Sequence, residues 1–325
     1  MMINKAFFLF PGQGTQYPGM ALDLLSRSQK VKDLFSLASD KYGEDMQVFL
    51  QNAEAETLKR TDVSQPVITL ANLAAAAYLA EKGIAPSGCA GFSLGEYAAL
   101  ATAGVITPGE CIFLVIHRGK AMQAAIDRIT AGAENPGASA PGMAAVVGLS
   151  PEKVEALIGE WKAGGNPALR ELYAANINSP RQTAVSGTAQ ALAEAEGLFT
   201  AAGARRFIRL AVAGPYHSPF MAPAAEEFRP FLDQVQFRDP QIPLYSNVTG
   251  KQIQSGEEAK KLALKQITNA VRWVDEETAI ALSGGFEACL EVGPGKVLQG
   301  LWKDSGSALP CLAAGTVEDI DSICN

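Results

Sequence analysis

Residues 6–10 are five apolar positions in a row, and they stop at Pro11-Gly-Gln-Gly14, which predicts a buried strand running into a glycine-rich loop. Residues 65–81 are rich in Ala and Leu and end before Gly83, the pattern of a long helix closed by a C′ glycine. A short apolar strand then leads to Gly91-Phe-Ser93-Leu-Gly95, and a helix is predicted over 96–103, closed by Gly104. Thr107-Pro-Gly-Glu110 is a capping box with proline at the first helical position, opening a helix to about residue 128. Strands alternating with helices in this manner predict a parallel sheet covered by helices.

The order changes after residues 131–142, a joint of Gly, Ala, Pro and Ser. Strands are predicted over 143–149, 172–178, 182–186 and 205–212, with helices from Ser150 to about 161 and from the Thr188 cap to 203. This is β-α-β-β-α-β, the ferredoxin-like order. Beyond it, helix and strand alternate again at 220–235, 244–248, 257–267 and 288–292, before Gly293-Pro-Gly295. The expected fold class is α/β: a large α/β-hydrolase-like domain (1–130 and 213–325) with a parallel sheet core, carrying an inserted ferredoxin-like domain (131–212).

Composition narrows the chemistry. The chain has 325 residues, 48% hydrophobic and 19% charged, which describes a folded globule able to bury a large core. A net charge of −7 argues against general nucleic-acid binding. Five cysteines without a Cys-x-x-Cys pair argue against both a disulfide framework and a zinc site, and two histidines against a His-rich metal centre, so no metal is expected. Lys5 is followed by only five apolar residues before Pro11, which predicts no secretory signal, and nothing in the pattern suggests a membrane span. The expectation is a cytoplasmic protein.

Ser93 carries the first chemical hypothesis. In a Gly-x-Ser-x-Gly frame between strand and helix, the glycines permit a tight turn, and the first helical N–H groups can receive an oxyanion. The competing reading is an ordinary Gly/Ser turn. A serine nucleophile needs a base, and the choice lies between His117, inside an apolar helical stretch, and His217, on the turn Ala213-Gly-Pro-Tyr-His217. His217 is the candidate; His117 reads as a packed or surface residue. A hydrolase-type triad would draw on Asp127 or one of several glutamates between Ser93 and His217, whereas a dyad would orient the histidine with a neutral acceptor. Arg118, on the next helix, is either a clamp for a substrate carboxylate or a solvated helix arginine.

Taken together, Pro11-Gly-Gln-Gly14, Gly91-x-Ser-Leu-Gly-Glu96, Arg118, Asn176-x-Asn-Ser-Pro180, Pro215-Tyr-His217, Ser246-Asn-Val248 and Glu291-Val-Gly-Pro-Gly295 occur in the order found in the malonyl-CoA:acyl carrier protein transacylases, which the chain resembles from about residue 5 to 313. The resemblance implies ping-pong transfer of a malonyl group to the phosphopantetheine thiol of an acyl carrier protein, for fatty-acid or polyketide synthesis. Ser93 would be the nucleophile and His217 the base. The backbone N–H groups of Gln13 and Leu94 would hold the oxyanion and Arg118 the malonyl carboxylate. The main-chain carbonyl of Gln266 would orient the histidine, with Asn247 nearby and Gln65 in the pocket. No bound cofactor is implied, because CoA and phosphopantetheine arrive with the substrates. Phe92 stands where the family usually has histidine, and its ring cannot hydrogen-bond. Tyr216 resembles malonyl-selective members. Arg205, Arg206 and Arg209, on the last strand of the inserted domain, are candidates for a local basic patch that docks an acidic carrier protein, or else a solvated strand face. A thioester hydrolase and a non-catalytic binding module are the competing classes.

Overall fold

The computed structural model describes residue 3 and residues 5–132 and 140–324. Its strands, in chain order, are β1 (Ala6–Phe10), β2 (Pro86–Gly91), β3 (Gly142–Val147), β4 (Leu172–Ser179), β5 (Gln182–Gly187), β6 (Arg206–Arg209), β7 (Ala288–Glu291) and β8 (Cys311–Ala313). They form two sheets. The first has the order β2-β1-β7-β8 and is parallel throughout. Every residue of β1 is buried, as expected for a strand covered on both faces. Phe8 and Phe10 enter one apolar core and Phe7 and Leu9 the other, the latter beside Trp273 and Trp302. The continuous apolar run of β1 thus follows from having helices on both sides of the sheet.

The second sheet has the order β4-β5-β3-β6, with every pairing antiparallel. Helices Pro151–Ala163 and Ala189–Ala201 give the element order β-α-β-β-α-β. Their Val154, Ile158, Leu192 and Phe199 pack with Ala144 and Val146 on one face of the sheet. Met143 and Ala184 instead line the cavity described below. Of the predicted joint, residues 133–139 lie outside the described residues; Ala131 closes a helix and Gly142 opens β3.

Several expectations are corrected. The helix predicted from residue 65 is Thr61–Glu81 and runs through Pro66, a residue that from sequence marks a helix start. This helix is long and apolar enough to cross a membrane by length and composition, contrary to the expectation that nothing approaches a span; 83% of its most apolar window is buried within the fold. Residues 244–248 form only isolated bridges, Leu244 with Cys89 and Tyr245 with Gln252, because Asn247 commits its main-chain N–H to a side chain. Strand β6 ends at Arg209, since residues 210–213 turn to line the cavity. All five cysteines are free thiols, four of them buried.

Candidate active site

Strand β2 ends at Gly91 and helix Gly95–Thr102 begins two residues after Ser93. Ser93 has φ 50°, a left-handed conformation uncommon outside glycine. A Cβ on Gly95 would overlap the Phe10 carbonyl, and one on Gly91 would run into the Gly95 backbone. Both glycines of the pentapeptide are therefore steric requirements of the turn. The strained residue is held by its surroundings: Ser93 N–H donates to Asn247 Oδ1 at 2.7 Å, and Phe92 N–H donates to the Phe10 carbonyl at 2.9 Å.

His217 also sits at positive φ, 54°, and is buried. Its Nε2 lies 2.8 Å from Ser93 Oγ, and its Nδ1 lies 2.9 Å from the main-chain carbonyl of Gln266. A carbonyl can only accept, so Nδ1 carries the proton and Nε2 is left to accept from the serine hydroxyl. Burial, and then the nearby Arg118 charge, push the imidazole pKa down to about 4, while main-chain hydrogen bonds at Gln266 and Asn269 pull the other way. The ring is neutral at pH 7. Gln266 is the C-cap of helix Gly256–Lys265, so its carbonyl belongs to the negative end of that helix, which favours an imidazolium once one forms.

The triad alternative is not what the geometry provides. Asp127 Oδ1 accepts from Gln123 Nε2 at 2.8 Å on its own helix, and a carbonyl occupies Nδ1 of His217. His117 is half-buried, stacked on Phe231 with centroids 3.7 Å apart, outside the cavity lining.

Arg118, on helix Pro108–Ala131, is 1% exposed. Its Nη2 donates to Gln266 Oε1 at 3.0 Å, its guanidinium lies 5.3 Å from the Tyr97 ring centroid, and its Nε has no partner among the described residues. No carboxylate among the described residues forms an ion pair with it. Desolvation lowers its pKa, though an arginine stays charged. A buried guanidinium with no carboxylate of the described residues in ion-pair contact is costly, and an incoming carboxylate would relieve that cost.

Ser93, His217 and Arg118 line one cavity of about 420 Å³, between the two sheets. Gln65 also lines it; its Nε2 meets Met122 Sδ at 3.3 Å and its Oε1 is buried without a partner among the described residues. Gln13 Nε2 donates to the Tyr216 hydroxyl at 3.3 Å, and that hydroxyl lies 2.6 Å from Thr61 Oγ1. The glycine-rich loop runs against the elbow, a Cβ on Gly12 lying 3.5 Å from Leu94 N. Among the described residues, neither the Gln13 nor the Leu94 main-chain N–H meets a protein acceptor. Phe92 is half-buried and packs edge-on against Trp273, with centroids 5.5 Å apart. It makes an apolar support where a hydrogen bond was the alternative.

Residues 7–318 match the family profile described as the acyl transferase domain. The chain belongs to the acyl transferase family. It is 33% identical over 319 residues to the malonyl CoA-acyl carrier protein transacylase of Bacillus subtilis, covering 98% of this chain and 96% of that protein. Its fold is similar to the crystal structure of an acyl carrier protein S-malonyltransferase from Vibrio cholerae, with TM-score 0.88, 34% identity, and 98% and 99% of the two chains covered. It is also similar to a malonyl-transacylase solved in complex with a type II polyketide acyl carrier protein, with TM-score 0.86, 35% identity and 99% of each chain covered.

In this acyltransferase, then, His117, Asp127, Arg205, Arg206 and Arg209 do not line the cavity, whereas Ser93, His217, Arg118, Gln13, Leu94 and Gln65 line it and Gln266 and Asn247 lie directly behind it. Two residues against them carried no local signal. Tyr97 reads as an ordinary helix residue, yet it lies beneath Arg118. Glu276 sits in Asp275-Glu-Glu277, which reads as a solvated acidic face, yet it is fully buried.

Proposed function

We propose that the protein transfers a malonyl group from malonyl-CoA to the phosphopantetheine thiol of an acyl carrier protein, through a malonyl ester on Ser93, and so supplies fatty-acid synthesis. One observation carries this reading: Ser93 Oγ lies 2.8 Å from Nε2 of a neutral His217, with a buried Arg118, in no ion pair among the described residues, lining the same cavity. His217 takes the serine proton as Oγ attacks the thioester carbonyl. The N–H groups of Gln13 and Leu94 receive the developing oxyanion. When the tetrahedral adduct collapses, the carbon–sulfur bond breaks and the imidazolium returns its proton to the CoA thiolate. The carrier thiol then repeats these steps in reverse, regenerating Ser93. Ser93 and His217 act as a dyad, with the Gln266 carbonyl in the orienting position. Arg118 pairs with the free malonyl carboxylate and selects it over uncharged acyl groups. Gln65 and Asn247 shape the pocket and the elbow. The residues of the cycle need no resident cofactor or metal.

We read the chain as two domains, 1–130 with 213–325 and 131–212, the larger hydrolase-like and the smaller ferredoxin-like. The antiparallel order β4-β5-β3-β6 supports the second description, and the parallel sheet with its nucleophile elbow supports the first. Arg205, Arg206 and Arg209 are exposed on and beside β6, whose continuation lines the cavity, which favours this edge for an acidic carrier protein. Free buried thiols fit a reducing, cytoplasmic setting.

The test is intact-protein mass spectrometry after mixing with malonyl-CoA, then with holo acyl carrier protein. A malonyl adduct on Ser93 that moves to the carrier is the expected result. Free malonate without an adduct would make the protein a hydrolase, and an unreacted mixture would leave a binding module.

A further inference from the structure

Three carboxyl side chains, Glu96, Glu276 and Glu277, are buried behind the elbow and take no part in the cycle above. Glu277 is engaged by the Trp273 indole N–H at 2.8 Å. The other two converge on Asn247. Glu96 Oε2 accepts the Asn247 main-chain N–H at 2.7 Å, and Glu276 Oε1 accepts from Asn247 Nδ2 at 2.8 Å. The same Nδ2 donates to the Gly91 carbonyl at 2.7 Å. At the other end of the carboxamide, Oδ1 accepts from Ser93 N–H at 2.7 Å and from Gln266 Nε2 at 3.1 Å.

A carboxamide has a donor end and an acceptor end, and a half-turn exchanges them. After that half-turn, Oδ1 of Asn247 would face two acceptors, Gly91 O and Glu276, while Nδ2 would face two donors. The acceptors at the far end therefore dictate which end reaches Ser93. Glu276 is the only side chain among those acceptors. Its second oxygen is buried with no hydrogen-bond partner among the described residues, so the residue is a costly way to fill space.

We propose that Glu276 is a positioning residue for the nucleophile, locking the Asn247 carboxamide in the orientation whose Oδ1 holds Ser93 N–H and so keeps the serine in its left-handed conformation. This rests on the reading of Ser93 as the acylated residue. Glu96 fixes the main chain of Asn247 and Glu276 its side chain; the two act on the reacting serine through one amide.

The experiment follows the rate of malonyl-adduct formation on the full chain by rapid quench and mass spectrometry, over a range of malonyl-CoA concentrations. Glu276→Met removes the acceptor and should lower the saturating acylation rate by about tenfold or more, the effect of losing one buried hydrogen-bond partner, while the half-saturating concentration stays unchanged. Glu276→Gln keeps an acceptor oxygen and should retain most of the rate that Glu276→Met loses. In an Asn247→Ala background there is no carboxamide to orient, and there Glu276→Met should lower the rate no further. If Glu276→Met does not fold, Glu276→Gln decides the matter. An undiminished rate in folded Glu276→Met, a change confined to the half-saturating concentration, a further loss in the Asn247→Ala background, or a loss in Glu276→Gln as large as that of Asn247→Ala would each overturn the proposal. If the unmodified protein forms no malonyl adduct, the acyl-transfer reading falls and takes this one with it. A normal adduct with unresponsive variants sinks the positioning role alone.

Discussion

Arg118 and Gln266 meet at 3.0 Å, and through that contact the buried guanidinium and the buried histidine share one residue. Gln266 accepts from Arg118 with its side-chain oxygen, holds Nδ1 of His217 with its main-chain carbonyl, and donates its amide to the Ser93 carbonyl at 2.9 Å. The groups proposed for charge recognition and for proton transfer are thus built on a common support. In the proposed cycle, a shift of Arg118 toward the malonyl carboxylate would act on the residue whose carbonyl holds His217.

Arg118→Ala should abolish the preference for malonyl-CoA over acetyl-CoA, by a factor on the order of a hundred, the usual scale for truncating one member of a buried charge pair. Competing the two thioesters for adduct formation measures it. Discrimination equal to that of the unmodified protein would show that the guanidinium does not read the carboxylate.

Removal of the base should be more severe for rate than for binding. His217→Ala is expected to slow acylation on the order of a hundred-fold or more. In the unmodified protein the acidic limb of the acylation rate should fall near pH 4, where the buried imidazole gains its proton, and not near 6.5, where a free one does. A single-turnover profile from pH 4 to 8 checks this; a limb centred near 6.5 would mean that the ring is solvated when it acts.

Glu96 makes an opposite prediction for stability. Burial pushes its carboxyl up to about 7, against an ordinary 4.5, so the fold favours the protonated form. The associated stability is fully present below pH 4.5 and is lost as pH rises through 7. Each pH step of one between those two values removes about 1.4 kcal/mol. Glu96→Gln keeps an acceptor for Asn247 N–H without the charge. It should raise the melting temperature relative to the parent at pH 8, and the gain should shrink toward pH 5. A gain independent of pH would contradict a buried, raised carboxyl.

Gly95→Ala tests the elbow itself. The added methyl would overlap the Phe10 carbonyl, main chain that cannot move without breaking β1 from its neighbours. A loss of several kcal/mol in denaturant unfolding, in the range of severe overpacking, is expected. Unfolding at the parent's denaturant midpoint would show the turn to be looser than described.

Much of this was legible because the signals are local. The Thr107 capping box is present in full, with Thr107 N–H on Glu110 Oε2 and Glu110 N–H on Thr107 Oγ1. The Gly-x-Ser-x-Gly frame announces a turn whose steric demands only glycine meets. Harder to read were segments whose structure is set from a distance. Residues 244–248 have strand composition, but Asn247 gives its hydrogen-bonding groups to Glu96, Gly91, Glu276 and Ser93. Helix Thr61–Glu81 looks membrane-like because it is surrounded by protein on nearly every side, and apolar burial has the same composition in either medium. Glu276 was invisible because nothing in the run Asp275-Glu276-Glu277 distinguishes the two carboxyls that folding buries from the one it leaves partly exposed.

The acceptor at Nδ1 of His217 is a peptide carbonyl, and that has a genetic meaning. A carboxylate in the same place could be erased by a single codon change. Every residue at position 266 still carries a carbonyl, so no substitution deletes this contact outright; only a change in the course of the helix end can withdraw it. Inheritance of this hydrogen bond is secured by the path of the chain and not by the identity of any one letter.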